Sequence, residues 1–403
     1  MNPLFGLIAA VVLLGAPPDM PVSPDPKMLE LIRQLGHKSF QVREIAARDL
    51  LKKGTEAVPY LTAGAKDANS EVAERCRQLL PVAAAKERNE KLAQLLKEPL
   101  GPLPKGLVGL EQFIAITGDG LAPRQLYAEM LDSHHAIIEA MESDPKAGSM
   151  LMNKFIDKLY DHWSSHLPPR QPITNKTRTD QLFTERSQMA LFLFVRANPR
   201  FIDDPENAFT YAMLMNSKKL QQAVSGPEEI PGMKKLFLHW LPKEKDPYVA
   251  SNGFLLAGSA KMKEASPAVL KAIADKKLEG HFRGRAMMTL VKLGDKNNLK
   301  DLEPSLTDHT LIETNLFAGD VPPLKVQLRD MALGVSIILS GQKPGDFGFD
   351  KRCKPWEFGN DDRVGIDWPD SCGAYGFQDD AKRETAHAKW KAWVESQDKP
   401  VKK

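Results

Sequence analysis

The chain has 403 residues, of which 42% are hydrophobic and 27% are charged, and its 55 basic and 52 acidic side chains leave a formal net charge of +3. This composition is typical of a globular protein with a sizeable core and room for two or three domains. There are three cysteines, no CxxC pair and no Lys/Arg stripe interleaved with aromatic residues. These counts exclude a disulfide-rich mini-scaffold and a zinc ribbon, and they indicate no nucleic-acid partner.

The N-terminal segment 1–16 contains an uncharged apolar run from Leu4 to Leu14. The run is shorter than the roughly 20 residues that a membrane-spanning helix needs, and it has the length of the hydrophobic region of a secretory signal. We therefore expect residues 1–16 to be a signal peptide, export to the periplasm or the extracellular space, and no membrane span in the mature chain. No Lys or Arg precedes the run, so a retained anchor or a buried N-terminal helix is the alternative. The proline-rich residues 17–26 are predicted to be a linker.

A repeat of thirty residues follows in segment 27–83. The stretch SFQVREIAARDLL begins at Ser39, and NSEVAERCRQLL begins at Asn69. Both first residues are good helix N-caps, and the alignment places Cys76 opposite Ala46 on an apolar stripe with helical spacing. Each of these helices follows another predicted helix. The sequence therefore predicts two helix–turn–helix units that bury their stripes by stacking on each other, with Cys76 as a buried thiol.

The middle of the chain is also predicted to be helical. Residues 84–108 are a predicted charged helix followed by a Gly/Pro linker, and residues 109–235 form a less regular helical region. Helix pairs return in 236–345, where Asp246 stands as a cap before a proline. One stretch breaks the helical spacing: the alternating residues near 310–327 predict a small β-hairpin inserted between helices.

The tail, 346–403, is rich in Gly, Asp and aromatic residues and ends in a predicted helix. That helix carries Trp390 and Trp393 on one face, and we expect it to pack on the last repeat and cap its open end. Cys353 and Cys372 bracket a segment that has little apolar material for a core. In an exported protein a disulfide between them would hold this segment closed. Two unpaired cysteines in a loop are the alternative.

Taken together, these elements predict an all-α protein built from helix pairs. Three stretches carry a resemblance to a known family: LGHKSFQVREIAARDLLKKGTEAVPYL, VQLRDMALGVSIILSGQKPGDFGF and YGFQDDAKRETAHAKWKAW. In this order they resemble exported bacterial proteins with HEAT-like repeats. The resemblance covers most of residues 28–395 and is weak through 165–235. It implies a short HEAT-like α-solenoid, with the small hairpin and the capping tail added, and it implies export. It implies no activity.

The stretch LYDHWSSHLPP raises the question of a metal site, because two of its histidines stand four residues apart with an aspartate beside the first. A metal-dependent hydrolase would need further ligands from elsewhere. The candidate residues are His134, His135, Asp161, His162 and His166. Trp163 occupies the position at which a zinc-protease helix of H-E-x-x-H type has its general base. We therefore expect neither a metal site nor a cofactor.

Two weaker motifs have structural explanations. The string Asp346–Phe347–Gly348 matches the magnesium motif of kinases, but the other kinase motifs are missing, so it predicts a turn with an aromatic anchor. The acidic residues between 361 and 370 lack the spacing of an EF-hand loop, so they predict a solvated loop. These are Asp361, Asp362, Asp367 and Asp370.

The sequence as a whole favours a non-catalytic protein that binds or scaffolds other proteins outside the cytoplasm, because stacked helix pairs present an extended concave face. This step rests on the fold class alone. A metal-dependent hydrolase that uses the histidine group and a structural envelope protein are the two alternatives. The partner's identity and the oligomeric state do not follow from the sequence.

Overall fold

The computed structural model describes residues 25–165, 183–312, 325–349 and 375–397, and in these ranges the chain is mostly α-helical. The predicted all-α class is confirmed as far as secondary-structure content is concerned. The chain divides into two compact units after Ser149. This division falls inside the region 109–235, which the sequence treats as one segment. The predicted signal peptide and nearly all of the linker lie outside the described residues.

The first unit is built from helices joined by short turns. They are α1 (Pro26–Gln34), α2 (Phe40–Lys53), α3 (Val58–Gly64), α4 (Ser70–Lys97), α5 (Leu110–Thr117), α6 (Leu121–Ser143) and the start of α7 (Pro145–Ser165).

The two predicted helix pairs are present at its start, since α1 packs on α2 and α3 packs on α4. The aligned residues Ala46 and Cys76 are both fully buried in the core that the pairs share. Ser39 and Asn69 occupy the N-cap positions of α2 and α4, as predicted. The side chain of Asn69 accepts hydrogen bonds from the first backbone N–H groups of α4, which have no partner within the helix.

Helix α3 approaches α4 very closely at Gly64. A Cβ atom placed on Gly64 would lie 2.6 Å from Cys76 Sγ and 3.1 Å from a methyl carbon of Ile32. Cys76 is a free thiol, as predicted, and burial raises its pKa to about 12. The absence of a side chain at Gly64 therefore allows α3 to pack closely on α4 within the second helix pair and on Ile32 of the first.

One predicted boundary is wrong. The sequence separates a repeat ending at residue 83 from a charged helix beginning at 84, but α4 runs without a break from Ser70 to Lys97, with Pro81 in its interior. Proline removes one helical hydrogen bond and disfavours a continuous helix. The helix continues because residues on both sides of Pro81 are buried, among them Cys76 before it and Ala83 after it. Its second half packs on α6.

The second unit continues with α7 and contains a further set of helices and one pair of short strands. The helices are α8 (Arg186–Arg196), α9 (Ala208–Met215), α10 (Lys218–Val224), α11 (Met233–Trp240), α12 (Pro247–Ser259), α13 (Ser266–Ala274), α14 (Gly280–Leu293), α15 (Leu299–Leu302), α16 (Leu328–Leu339) and α17 (Asp380–Gln397); the strands are β1 (Leu311–Ile312) and β2 (Val326–Gln327).

Several of these helices pack side by side in chain order. Helix α9 packs on α12, α12 on α14, and α14 on α16, while α13 packs on α14 as its sequence neighbour. Asp246 caps α12 as predicted, because its carboxylate accepts hydrogen bonds from two backbone N–H groups of the first turn. None of the helices in the described ranges combines the length and the apolar character needed to span a bilayer.

The β-structure lies at the two ends of the predicted hairpin. Strands β1 and β2 pair antiparallel, with Leu311 opposite Gln327 and Ile312 opposite Val326. The connecting residues 313–324 lie outside the described residues. Lys325, just before β2, also pairs with Phe377 of the tail in a single antiparallel bridge. The hairpin position is therefore confirmed at its base, and it anchors the tail.

The terminal helix α17 packs on α16, the last helix of this row, as the sequence predicts. Arg383 of α17 donates to both carboxylate oxygens of Asp330 of α16 at 2.9 and 3.0 Å, and both side chains are buried. The ring of Trp390 packs edge-on against Phe347, with centroids 5.9 Å apart, and stacks on Trp393. The terminal helix is therefore held by one buried ion pair and one aromatic cluster.

Candidate functional site

The predicted histidine group is divided between the two units. His134 and His135 lie on α6 of the first unit, where the backbone of His134 leaves helical geometry and kinks the helix. His162 lies on α7 in the second unit and is exposed. His166 lies outside the described residues. In the ranges that the structure covers, no three His, Cys, Asp or Glu side chains come close enough to hold a metal ion. The metal-dependent hydrolase therefore gains no support.

The DFG string lies in a short 3₁₀ turn, Pro344–Phe347, and Gly348 follows it with φ = 99°. Phe347 is buried against Trp390, so the turn has the aromatic anchor that the sequence predicts. The acidic residues 361–370 and the pair Cys353 and Cys372 lie outside the described residues. The disulfide remains a prediction.

A second buried ionic cluster of the second unit, besides the Arg383–Asp330 pair, is centred on Arg196, at the C-terminal end of α8. Its guanidinium donates to both carboxylate oxygens of Glu244, at 2.9 and 2.6 Å, and each of these side chains is 1% exposed. Asp203 approaches the same guanidinium at 2.8 Å. The ring of Tyr211 covers its face at 3.9 Å, and Trp240 donates its indole N–H to Glu244.

The electrostatics of this cluster follow from its burial. Burial acts to lower the pKa of Arg196, but the carboxylates of Glu244 and Asp203 more than offset it, so the pKa is raised and the charge is retained. Burial raises the pKa of Asp203, although Arg196 opposes the shift. The cluster ties α8 to the loop at Asp203 and to the turn after α11. Its geometry is that of a structural anchor, since Arg196 donates two hydrogen bonds to Glu244 and Glu244 also accepts one from Trp240.

An open groove of about 450 Å³ lies between α2 and α4 in the first unit. The lining residues on α2 are spaced by three or four positions, and the two on α4 are seven positions apart, which is about two turns. Each helix therefore lines the groove with a single face. The groove is lined by Glu44, Ala47, Arg48, Leu51, Lys52, Leu79 and Lys86.

The floor of this groove is apolar. Ala47, Leu51 and Leu79 are partly buried and pack against the core of the first unit. Of the large apolar side chains that remain exposed on the same helices, two lie near the groove: Ile45 is 48% exposed and Val82 is 53% exposed. Helical spacing places Ile45 beside the α2 face of the groove and Val82 beside the α4 face. The apolar floor of the groove therefore extends onto an exposed apolar surface beside it.

The rim of the groove carries three cations and one carboxylate. Glu44 is bound by Arg75 at 2.9 Å, and Lys52 pairs with Asp49 at 3.1 Å. Lys86 donates to two backbone carbonyl groups at the C-terminal end of α2, at 3.3 Å each, where the last carbonyls of a helix lack partners. Arg48 forms no ion pair with any residue that the structure describes. It is the cation of this groove that is available to a carboxylate.

Sequence patterns did not identify either feature. Arg196 follows the apolar run ALFLFV, and a charge in such a run signals a buried ion pair, but the partner lies 48 residues away. The groove residues lie next to the predicted buried stripe and have no distinctive composition. The groove exists because α2 and α4 lie side by side.

No protein-family model, no curated protein and no solved structure matches this chain. Its function is therefore inferred from the geometry and charge of its own residues.

Proposed function

We propose that this protein is a non-catalytic binding protein that acts outside the cytoplasm and holds a segment of a partner protein in the groove between α2 and α4. The observation that carries this proposal is an open groove that combines an apolar floor with a free guanidinium. Hydrophobic burial provides most of the free energy of association, and a polar group at the rim fixes orientation.

The rim determines the chemistry of the partner. Three cations face one carboxylate, and Glu44 is already neutralised by Arg75. A segment that binds here places apolar side chains on Ala47, Leu51 and Leu79 and a carboxylate opposite Arg48. Arginine binds carboxylates through two parallel hydrogen bonds, so it gives the site directional specificity. The partner segment is therefore acidic and amphipathic.

The arrangement of the helices supports a HEAT-like solenoid as the scaffold of this groove. The first unit begins with two stacked helix pairs, and α9, α12, α14 and α16 pack in chain order in the second. A polar, helical cap such as α17 is what an open solenoid end requires. The apolar N-terminal run supports export. A binding role suits this architecture, because stacked pairs leave helix faces open along their length.

A photo-crosslinking amino acid at Val82 tests the proposal in the full-length protein expressed in its native host. Val82 is 53% exposed beside the groove, so replacement leaves the core intact. The same amino acid at Lys66, an exposed position away from the groove lining, is the matched control.

We expect one partner to be crosslinked from position 82 and not from position 66, and the attached peptide to contain Asp or Glu beside apolar residues. A partner captured equally from both positions, or none captured from position 82, contradicts the proposal.

A further inference from the structure

Two basic side chains share a hydrogen bond in the second unit. Lys243 Nζ lies 2.5 Å from His239 Nε2, where α11 passes into the 3₁₀ turn Leu241–Lys243. The two residues are four positions apart, so the continuing helical backbone brings them together. An ammonium group can donate to Nε2 only when the imidazole is neutral with its proton on Nδ1. The contact therefore joins one charged group and one neutral base.

No carboxylate among the described residues pairs with Lys243. The adjacent Glu244 turns inward, where Arg196 and Trp240 bind its oxygens and leave it 1% exposed. Burial lowers the pKa of Lys243, and burial together with the charge of Lys243 lowers the pKa of His239. An amine that is partly desolvated and lacks a counterion gives up its proton more readily than an ordinary surface lysine.

We propose that Lys243 is a reactive amine that becomes acylated by small acyl thioesters, with His239 as the base that receives its proton. The neutral Nζ attacks the thioester carbonyl carbon, and an N–C amide bond forms. The C–S bond breaks, and the thiolate leaves with the bonding electrons. The proton released from Nζ passes to His239 Nε2 and then to the thiolate, which restores the neutral imidazole and balances the step.

A nearby lysine provides an internal comparison. Lys245 Nζ donates to the backbone carbonyl oxygens of Pro199 and Phe201 at 3.3 and 3.5 Å. Lys245 experiences the same solution and the same reagent as Lys243 but lacks a neighbouring base. Any difference between the acylation rates of Lys243 and Lys245 therefore reports a difference in their local environments.

The experiment treats the full-length protein with the N-acetylcysteamine thioester of acetate at neutral pH and follows acetylation by peptide mass spectrometry. Cleavage after Glu244 places Lys243 and Lys245 in different peptides, so both rates come from one sample. The variant His239→Gln can still accept a hydrogen bond but cannot take up the proton. Lys245→Arg is a second variant that leaves the pair unchanged.

We expect Lys243 to be acetylated roughly tenfold faster than Lys245, and His239→Gln to reduce the Lys243 rate to about that of Lys245. Lys245→Arg should leave the Lys243 rate unaltered. The Lys245 rate in His239→Gln reports whether the fold is intact. Equal rates at the two lysines of the wild type overturn the proposal, and so does a Lys243 rate that His239→Gln leaves unchanged.

Discussion

Arg196 and Glu244 form a two-bond ion pair across 48 residues of sequence, with each side chain 1% exposed. Removing Glu244 leaves the buried Arg196 with only the partly exposed Asp203 as a counterion. Loss of one partner of a buried ion pair destabilises a protein by about 3–5 kcal/mol. We therefore expect Glu244→Leu to lower the free energy of unfolding by about that amount, measured by urea denaturation.

Two variants serve as controls for this ion pair. Lys234→Ala removes the more exposed Lys234–Glu264 pair, and its expected effect is below about 1 kcal/mol. The double change Arg196→Met with Glu244→Leu removes both buried charges, leaves Asp203, which is 30% exposed, without its cation, and should recover part of the loss. Equal effects of Glu244→Leu and Lys234→Ala would show that the buried pair is not an anchor.

Asp308 should make the second unit sensitive to acid. Burial acts to raise the pKa of Asp308, but hydrogen bonds from Thr310 and from Arg283 of α14 lower it from 3.8 to about 2. Because the folded state holds the carboxylate charged, its contribution is complete above about pH 4 and is lost as the pH falls towards 2. We expect the contribution to be about 2 kcal/mol.

The measurement compares the free energy of unfolding of the wild type with that of Asp308→Asn across this pH range. Asparagine retains the shape of the side chain but does not titrate. The free energy of unfolding of the wild type should exceed that of Asp308→Asn by less and less as the pH falls. A constant difference between the two proteins would mean that the charge of Asp308 does not contribute.

The close approach of α3 to α4 predicts a coupled pair of substitutions. Gly64→Ala places a methyl group 2.6 Å from Cys76 Sγ and should destabilise the first unit by about 1–3 kcal/mol. In a Cys76→Ala background the sulfur is gone, so the same change should have a clearly smaller effect. Thermal denaturation of the wild type, the two single variants and the double variant gives the coupling free energy between the two substitutions. Additive effects would show that the sulfur does not limit the approach of the two helices.

Much of the helical architecture was predictable because its signals are local. Asn69 and Asp246 are found at helix starts, as the sequence predicts, because a short polar side chain can satisfy the first N–H groups. The break expected after residue 83 was not found. Pro81 weakens α4 locally, and the packing of α4 on α6 outweighs this effect, which no pattern within the helix reveals.

The candidate site was less predictable because it depends on distant residues. The run before Arg196 indicates a buried charge, but only the fold selects Glu244 as its partner. The groove forms because α2 and α4 are neighbours, and its lining residues look like ordinary surface residues. Conversely, the spacing of His162 and His166 suggested a metal site, although the described residues bring no third ligand to His162. Export and the HEAT-like family remain predictions.

The tail cysteines provide a further prediction. Cys353 and Cys372 flank a segment with little apolar material, and we expect them to form a disulfide in protein isolated from an oxidising compartment. A peptide map made without reduction should contain the two linked peptides, while Cys76 is recovered as a thiol once the protein is unfolded. Free thiols at both tail positions in such material would refute the bond.

The most direct test of the binding role is the affinity of the full-length protein for the partner crosslinked at Val82, measured by calorimetry with wild type, Arg48→Glu and Lys66→Glu. The two variants carry the same change of charge, but only Arg48 lines the groove. The groove model predicts that Arg48→Glu weakens binding by roughly tenfold or more and that Lys66→Glu binds like the wild type. Equal affinities for all three proteins would contradict it.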